Sequence, residues 1–223
     1  MKNELIVKEN PKSSVAETLR IVRTNILFSA IDEKLKTILI TSSLPGEGKS
    51  FISANLAVTF ALNNHKVLLI DCDMRKGRIH KIFNLENDIG FSNLLIDDIN
   101  ADLKKYVKKT EYDNLSIITM GSIPPNPSEL LSSARCKVVL SMLKNKFDYI
   151  IFDGTPVNGL TDSIIMSTLV DKVVIVSSLG DTNVDALKNC KQALVNVDAS
   201  IAGVIANKVP TDNNNYYSYY GDN

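Results

Sequence analysis

The chain has 223 residues, 44% of them hydrophobic, and its 25 basic and 25 acidic side chains cancel. That length suits one α/β domain with a real core, and the zero net charge gives no sign of a nucleic-acid or anionic-membrane surface. Apolar runs such as Val67–Ile70 and Val173–Val176 are far too short to span a bilayer. Met1-Lys2-Asn3-Glu4 lacks the apolar core of a signal peptide. Three scattered cysteines with no C-x-x-C spacing fit a reducing cytosol. His65 and His80 lie far apart and offer no zinc spacing.

Residues 1–12 read as an extended arm ending at Pro11. Ser14 and Glu17 are spaced as a capping box. Behind them Val15, Leu19, Val22 and Ile26 recur at helical spacing. Glu17, Arg20 and Arg23 form one inclined row on the other side of that helix. The row is either a solvated face with internal Glu–Arg pairs or a charged row that meets a neighbouring subunit.

Thr37–Thr41 is a β-branched strand that delivers a turn, Ser42-Ser43-Leu44-Pro45-Gly46, and then Glu47-Gly48-Lys49-Ser50 opens a helix. Such glycines let backbone N–H groups face an oxyanion, and the helix N-terminus adds partial positive charge. Lys49 would reach terminal phosphates and Ser50 would take a Mg²⁺ site. The strict pattern wants glycine where Ser43 stands. The helix continues from Phe51 to Leu62, with Ile52, Leu56 and Phe60 on an apolar face.

Lys66–Asp73 reads as a continuous strand, as expected in a buried parallel sheet. Asp71 and Asp73 flank Cys72 at its C-terminal end, the edge where α/β sheets bind ligands. Alternation puts both carboxylates on one side, where they can hold Mg²⁺ or take a proton; a solvated turn or a helix cap is the other reading. Cys72 reads as a small buried residue. Met74–Arg78 is a basic loop. Gly90–Leu95 suggests a short helix, and 98–109 a polar surface excursion. Leu115–Thr119 is a strand, the prolines of Gly121–Pro127 enforce a loop, and a helix is expected from Ser128 to about Lys144. Phe147–Asp153 is a strand ending in a carboxylate, the arrangement that sets an acid beside a nucleotide's Mg²⁺. Gly154-Thr155-Pro156 then turns the chain out. Val173–Val176 is a strand, Asn183–Val195 a helix, and Ser200–Ala206 the last strand. The alternation argues for a doubly wound, mostly parallel sheet with right-handed crossovers. From Pro210 the chain has no aliphatic residue to bury and is expected to be flexible. Yet four of its seven tyrosines, Tyr216, Tyr217, Tyr219 and Tyr220, lie there. They are either a sticky low-complexity end or a set of phenol nucleophiles within reach of an active site.

These residues together resemble the cytoplasmic catalytic domain of bacterial tyrosine kinases that regulate capsule and exopolysaccharide synthesis. The similarity covers nearly the whole chain. It rests on Ser43–Ser50, on the Asp-x-Asp-x-Arg pattern within Leu68–Arg75, and on Ile150–Pro156. Glu17, Arg20 and Arg23, the run Pro124–Leu131 and the tyrosine-rich tail add to it. One departure is Gly154-Thr155-Pro156, where the family more often has Thr-Pro-Pro. The resemblance implies a P-loop NTPase-type α/β domain over 1–209, with an oligomerisation helix at 13–30 and a flexible tail at 210–223. ATP would be bound by Ser43, Pro45, Gly46, Glu47, Gly48, Lys49, Ser50 and Phe51, with Asn207 at the adenine. Ser50, Asp71 and Asp153 would hold Mg²⁺. Asp71 would accept the tyrosine proton, supported by Asp73, while Lys49 would bind phosphate and Arg75 would orient the phosphate or the loop. Glu17, Arg20 and Arg23 would join copies into a ring, and the tail tyrosines would be phosphorylated in trans. The implied partners are a separate transmembrane adaptor and protein tyrosine substrates. The chain would be cytoplasmic and recruited to the inner face of the plasma membrane. A switch ATPase of the septum-positioning or partition type is the alternative. That class typically has a second lysine where this chain has Leu44, and its members have no need of tyrosines at the end.

Overall fold

Strand burial and strand order place the site. A computed structural model describes residues 4–31, 34–98 and 102–210. In chain order the elements are α1 (Ile6–Glu9), α2 (Ser14–Phe28), β1 (Thr37–Ser42), α3 (Lys49–Ala61), β2 (Val67–Asp71), α4 (Ile79–Ile82), α5 (Phe91–Ile96), β3 (Lys108–Lys109), β4 (Leu115–Ile118), α6 (Pro127–Ser132), α7 (Ala134–Lys144), β5 (Tyr149–Pro156), α8 (Asp162–Ser167), β6 (Lys172–Ser178), α9 (Val184–Val195) and β7 (Ile201–Asn207). The seven strands lie in the order β3-β4-β2-β5-β1-β6-β7. Every pairing is parallel except β3 with β4. The central strands are buried on both faces, which is why they read as unbroken apolar runs.

One face of the sheet packs on α5–α9 around Phe91, Tyr106, Leu140 and Phe152. The other packs on α1–α4 around Leu19, Leu56, Phe60 and Ile79. Nearly every residue of α3 is buried, including Ser53, Asn55 and Thr59, so it is a core helix rather than a one-sided one.

Several boundaries differ from the sequence reading, each for a local reason. The arm is not extended throughout: Leu5 and Val7 are buried, α1 forms, and Asn55 accepts the Val7 N–H and donates to the Glu4 carbonyl. Ser13, not Ser14, caps α2, accepting the Ala16 N–H at 3.2 Å. The strand expected over Lys66–Asp73 stops at Asp71, whose carboxylate accepts the Asp73 N–H and bends the chain. The helix expected from Ser128 is two helices. Ser133 sits between them in extended conformation (ψ 153°) and caps α7 through the Cys136 N–H. Gly154–Pro156 do not turn out but extend β5, with Thr41 Oγ1 donating to the Thr155 carbonyl at 2.7 Å. The excursion over 98–109 carries the fully buried Tyr106 and adds β3 at the sheet edge.

Candidate active site

The site forms at the C-terminal ends of β1, β2 and β5. Adjacent parallel strands bring Asp71 and Asp153 to the same register level. The loop after β1 crosses above them and enters α3. Gly48 caps that helix with φ +96°, a conformation that suits glycine. A Cβ there would also lie 2.1 Å from the Asn207 Nδ2. Asn207, at the end of β7, donates that amide to the Glu47 carbonyl at 2.9 Å. Pro45 and Gly46 form the exposed crest, Ser43 is fully buried, and Phe51 packs into the core beneath the helix start.

Glu47 has a role that the sequence did not disclose. Its carboxylate is 3% exposed; one oxygen accepts the Leu44 N–H at 2.7 Å, and the other accepts the Thr182 hydroxyl and the Ser178 N–H. It therefore ties the phosphate loop to itself and to the end of β6.

Lys49 Nζ pairs with Asp73 Oδ2 at 3.2 Å, and both side chains are largely buried. Burial works against the lysine's charge, but Asp153, Asp73 and Asp71 outweigh it and its pKa is raised. Asp71 is fully buried; its oxygens accept the backbone N–H groups of Asp73 (3.2 Å) and Ile79 (3.0 Å). Burial first and the Asp153 charge next push its pKa well above the carboxylate range. Asp153 is likewise raised by burial, against the opposing pull of Lys49, Ser50 and Ser53. One Asp153 oxygen accepts the Ser53 hydroxyl at 3.0 Å, while its Oδ2 is buried without a partner. Burial raises the Cys72 thiol well above its ordinary value, which makes it inert packing.

These residues fit a nucleotide with Mg²⁺. A hydroxyl at a helix N-terminus, a buried carboxylate oxygen lacking a partner, and a lysine are the donor set of a magnesium–phosphate site. Among the described residues no three His, Cys, Asp or Glu side chains could hold a metal alone. Mg²⁺ characteristically relies on one or two carboxylates, waters and phosphate oxygens. Ser50 and Asp153 are open to such an ion, and the Asp71 oxygens, which each accept one backbone N–H group, keep a second lone pair.

Arg75 pairs with Asp162, which the sequence reading did not single out. Its only sequence signal is an acid in the first turn of a short helix. On α2, Glu17 and Arg20 pair at 2.7 Å, Arg20 also donates to the Pro11 carbonyl, and Arg23 reaches the Thr59 carbonyl at 2.8 Å. The row is thus paired within the chain, while Ile21 and Phe28 of the same helix are exposed at 50% and 64%. Tyr216, Tyr217, Tyr219 and Tyr220 lie outside the described residues.

Residues 35–205 match the AAA domain family. Tyrosine-protein kinase YwqD of Bacillus subtilis (strain 168) is 38% identical over 99% of this chain and 92% of its own length. The chimerical protein CapA2B2, known from a crystal structure, superposes with a TM-score of 0.89 at 39% identity, over 95% of this chain and 92% of that one. The kinase domain of the Escherichia coli tyrosine kinase ETK gives a TM-score of 0.88 at 30% identity, over 96% and 84%.

Proposed function

The chain belongs to the bacterial tyrosine-protein kinases built on an AAA domain, and from that premise we propose that its first acceptors are the tyrosines of a neighbouring copy's tail. The observation that carries this reading is the convergence of Lys49, Ser50, Asp71, Asp73 and Asp153 on one sheet edge, with Asp153 Oδ2 buried and unpartnered.

When bound, ATP supplies the phosphoryl group and Mg²⁺ neutralises its charge, so the protein's work is positioning and charge compensation. The turn at Gly46–Gly48 presents backbone N–H groups, and Lys49 leaves Asp73 for the phosphates. Ser50 and Asp153 hold the ion. Asp71 takes the tyrosine proton: burial and Asp153 raise its pKa toward the range a general base needs, and each of its oxygens keeps a second lone pair. Asp73 supports it from the adjoining turn, Arg75 orients the loop, and Asn207 meets the adenine. Glu17, Arg20 and Arg23 join copies into a ring, which the exposed Ile21 and Phe28 support. A separate transmembrane adaptor switches the kinase on and holds it at the inner face of the plasma membrane. No helix among the described residues is long and apolar enough to cross a membrane itself. Control of capsule or exopolysaccharide synthesis follows from phosphorylation of the tail, each phosphate adding about −1.5 to −2 charge.

The test is mass spectrometry after incubation with Mg-ATP and the adaptor's cytoplasmic tail. Phosphate is expected on Tyr216, Tyr217, Tyr219 or Tyr220, and none in Lys49→Met. An activated wild-type chain without phosphotyrosine would sink the proposal.

A further inference from the structure

Arg75 is the cation of the Asp-x-Asp-x-Arg turn, and a residue outside that turn holds its guanidinium. Nε donates to Asp162 Oδ2 at 2.8 Å and Nη2 to Asp162 Oδ1 at 3.3 Å, so a two-pronged fork engages both carboxylate oxygens. The Asp162 side chain is 2% exposed and that of Arg75 39%. The carboxylate is therefore the fixed half, and the guanidinium reaches outward from it.

What fixes Asp162 is the strand that carries Asp153. Asp162 is the first residue of α8. Its neighbour Ser163 donates to the Thr155 carbonyl of β5 at 2.7 Å. Gly154 lies so close that a Cβ there would stand 2.5 Å from the Ser163 hydroxyl. On the other side, the N–H groups of Arg75 (3.2 Å) and Lys76 (2.9 Å) donate to Asp73 Oδ1, while Asp73 Oδ2 faces Lys49. One ion pair thus ties the turn after β2 to the helix after β5, the two segments that flank the acids of the site.

The chemistry of the pair favours a positioning role. Arginine presents five N–H donors in a rigid plane. Asp162 occupies two of them and so sets the plane's orientation, leaving the Nη1 edge for a phosphate oxygen. A buried carboxylate stripped of its cation is strongly unfavourable, so the pair also holds Arg75 against the pull of solvent.

We propose that Asp162 is a positioning residue of the phosphoryl-transfer site, acting through Arg75 to aim the guanidinium at the phosphate and to keep the Asp73 turn in place against β5. This rests on the kinase reading above.

A double-variant cycle tests it, using the full-length chain with its adaptor's cytoplasmic tail and Mg-ATP. Asp162→Asn is expected to lower the rate of phosphotyrosine formation roughly 10- to 100-fold, the loss that a misaimed group brings. The affinity for ATP should stay within about twofold, since the interaction lost belongs to the transition state. Asp162→Glu, which keeps the carboxylate, should recover part of the rate. Arg75→Ala combined with Asp162→Asn should be no slower than Arg75→Ala alone. The proposal falls if the two losses multiply, if Asp162→Asn keeps the wild-type rate, or if its loss equals the drop in folded fraction seen by circular dichroism. Should wild type make no phosphotyrosine yet hydrolyse ATP, the kinase reading fails, and the same cycle read on ATP turnover still decides this one. A chain that does neither overturns both.

Discussion

Gly77→Ala probes the tightest packing in the acid cluster. A Cβ at this position would stand 2.5 Å and 2.7 Å from the two Asp71 oxygens and 2.7 Å from the Met120 sulfur, whereas real Cβ contacts stay beyond 3.0 Å. The sulfur ends a flexible chain and can yield. The carboxylate yields only by weakening its own bonds, because the N–H groups of Asp73 and Ile79 hold one oxygen each. Either Asp71 moves by about half an ångström, weakening those bonds, or the turn at Gly77 lifts. Overpacking of this kind costs about 1–3 kcal/mol. In a chain this long each kcal/mol is worth roughly 2–4 °C in Tm, so a fall of about 2–12 °C is expected by scanning calorimetry. Misplacement on that scale can slow transfer up to about 100-fold, and phosphotyrosine formation should fall with Tm. Adding Met120→Ala frees the sulfur contact only and should restore little. A Gly77→Ala chain within about 1 °C of wild type at full rate would refute the packing argument, and full rescue by Met120→Ala would remove Asp71 from it.

Two further outcomes follow from polar contacts. Glu47→Ala leaves the Leu44 N–H and the Thr182 hydroxyl without their acceptor; a stability loss of about 1–3 kcal/mol and weaker ATP binding by calorimetry are expected, and unchanged affinity would show that Glu47 does not hold the loop. Burial opposes the charge of Asp171, but the Lys36 and Thr37 N–H groups and Lys144 outweigh it, so its pKa lies below the ordinary value. A lowered carboxylate stabilises the fold above its unfolded pKa, and that contribution disappears as pH falls through the folded one. Asp171→Ala should therefore lower Tm at pH 7 and narrow the gap from wild type as pH drops below about 3.9; a gap constant with pH would refute the assignment.

The sheet was legible because buried parallel strands leave little room for polar residues, and Asp71 and Asp153 stood out by ending such runs. The phosphate loop was legible because Gly48 and Lys49 are required by its turn and its charge. What escaped notice depended on partners far along the chain. Glu47 occupies a position that the loop pattern leaves open, and its tie to the end of β6 rests on Thr182, 135 residues away. Asp162 carries no distinguishing signal in the sequence, and Arg75, 87 residues earlier, gives it a role. The break at Ser133 was hidden because serine is tolerated in a helix and favoured as a cap, so local preference does not choose between one helix and two. Tyr106 sits in a polar stretch, and its burial follows from the packing of the sheet edge.

The pairing of β2 with β5 also bears on how the site comes into being. Ser53 and Asp153, which share a hydrogen bond, are 100 residues apart in the chain, and Asp71 faces Asp153 only once those two strands have zipped together. Contacts across such separations form slowly, because the loop must close before they reward it. Two carboxylates with raised pKa values resist meeting, and the apolar strands bearing them supply the force that brings them together. Asp153 therefore joins Lys49, Asp71 and Asp73 only when β5 pairs with β2: during synthesis, the complete acid cluster waits for that strand.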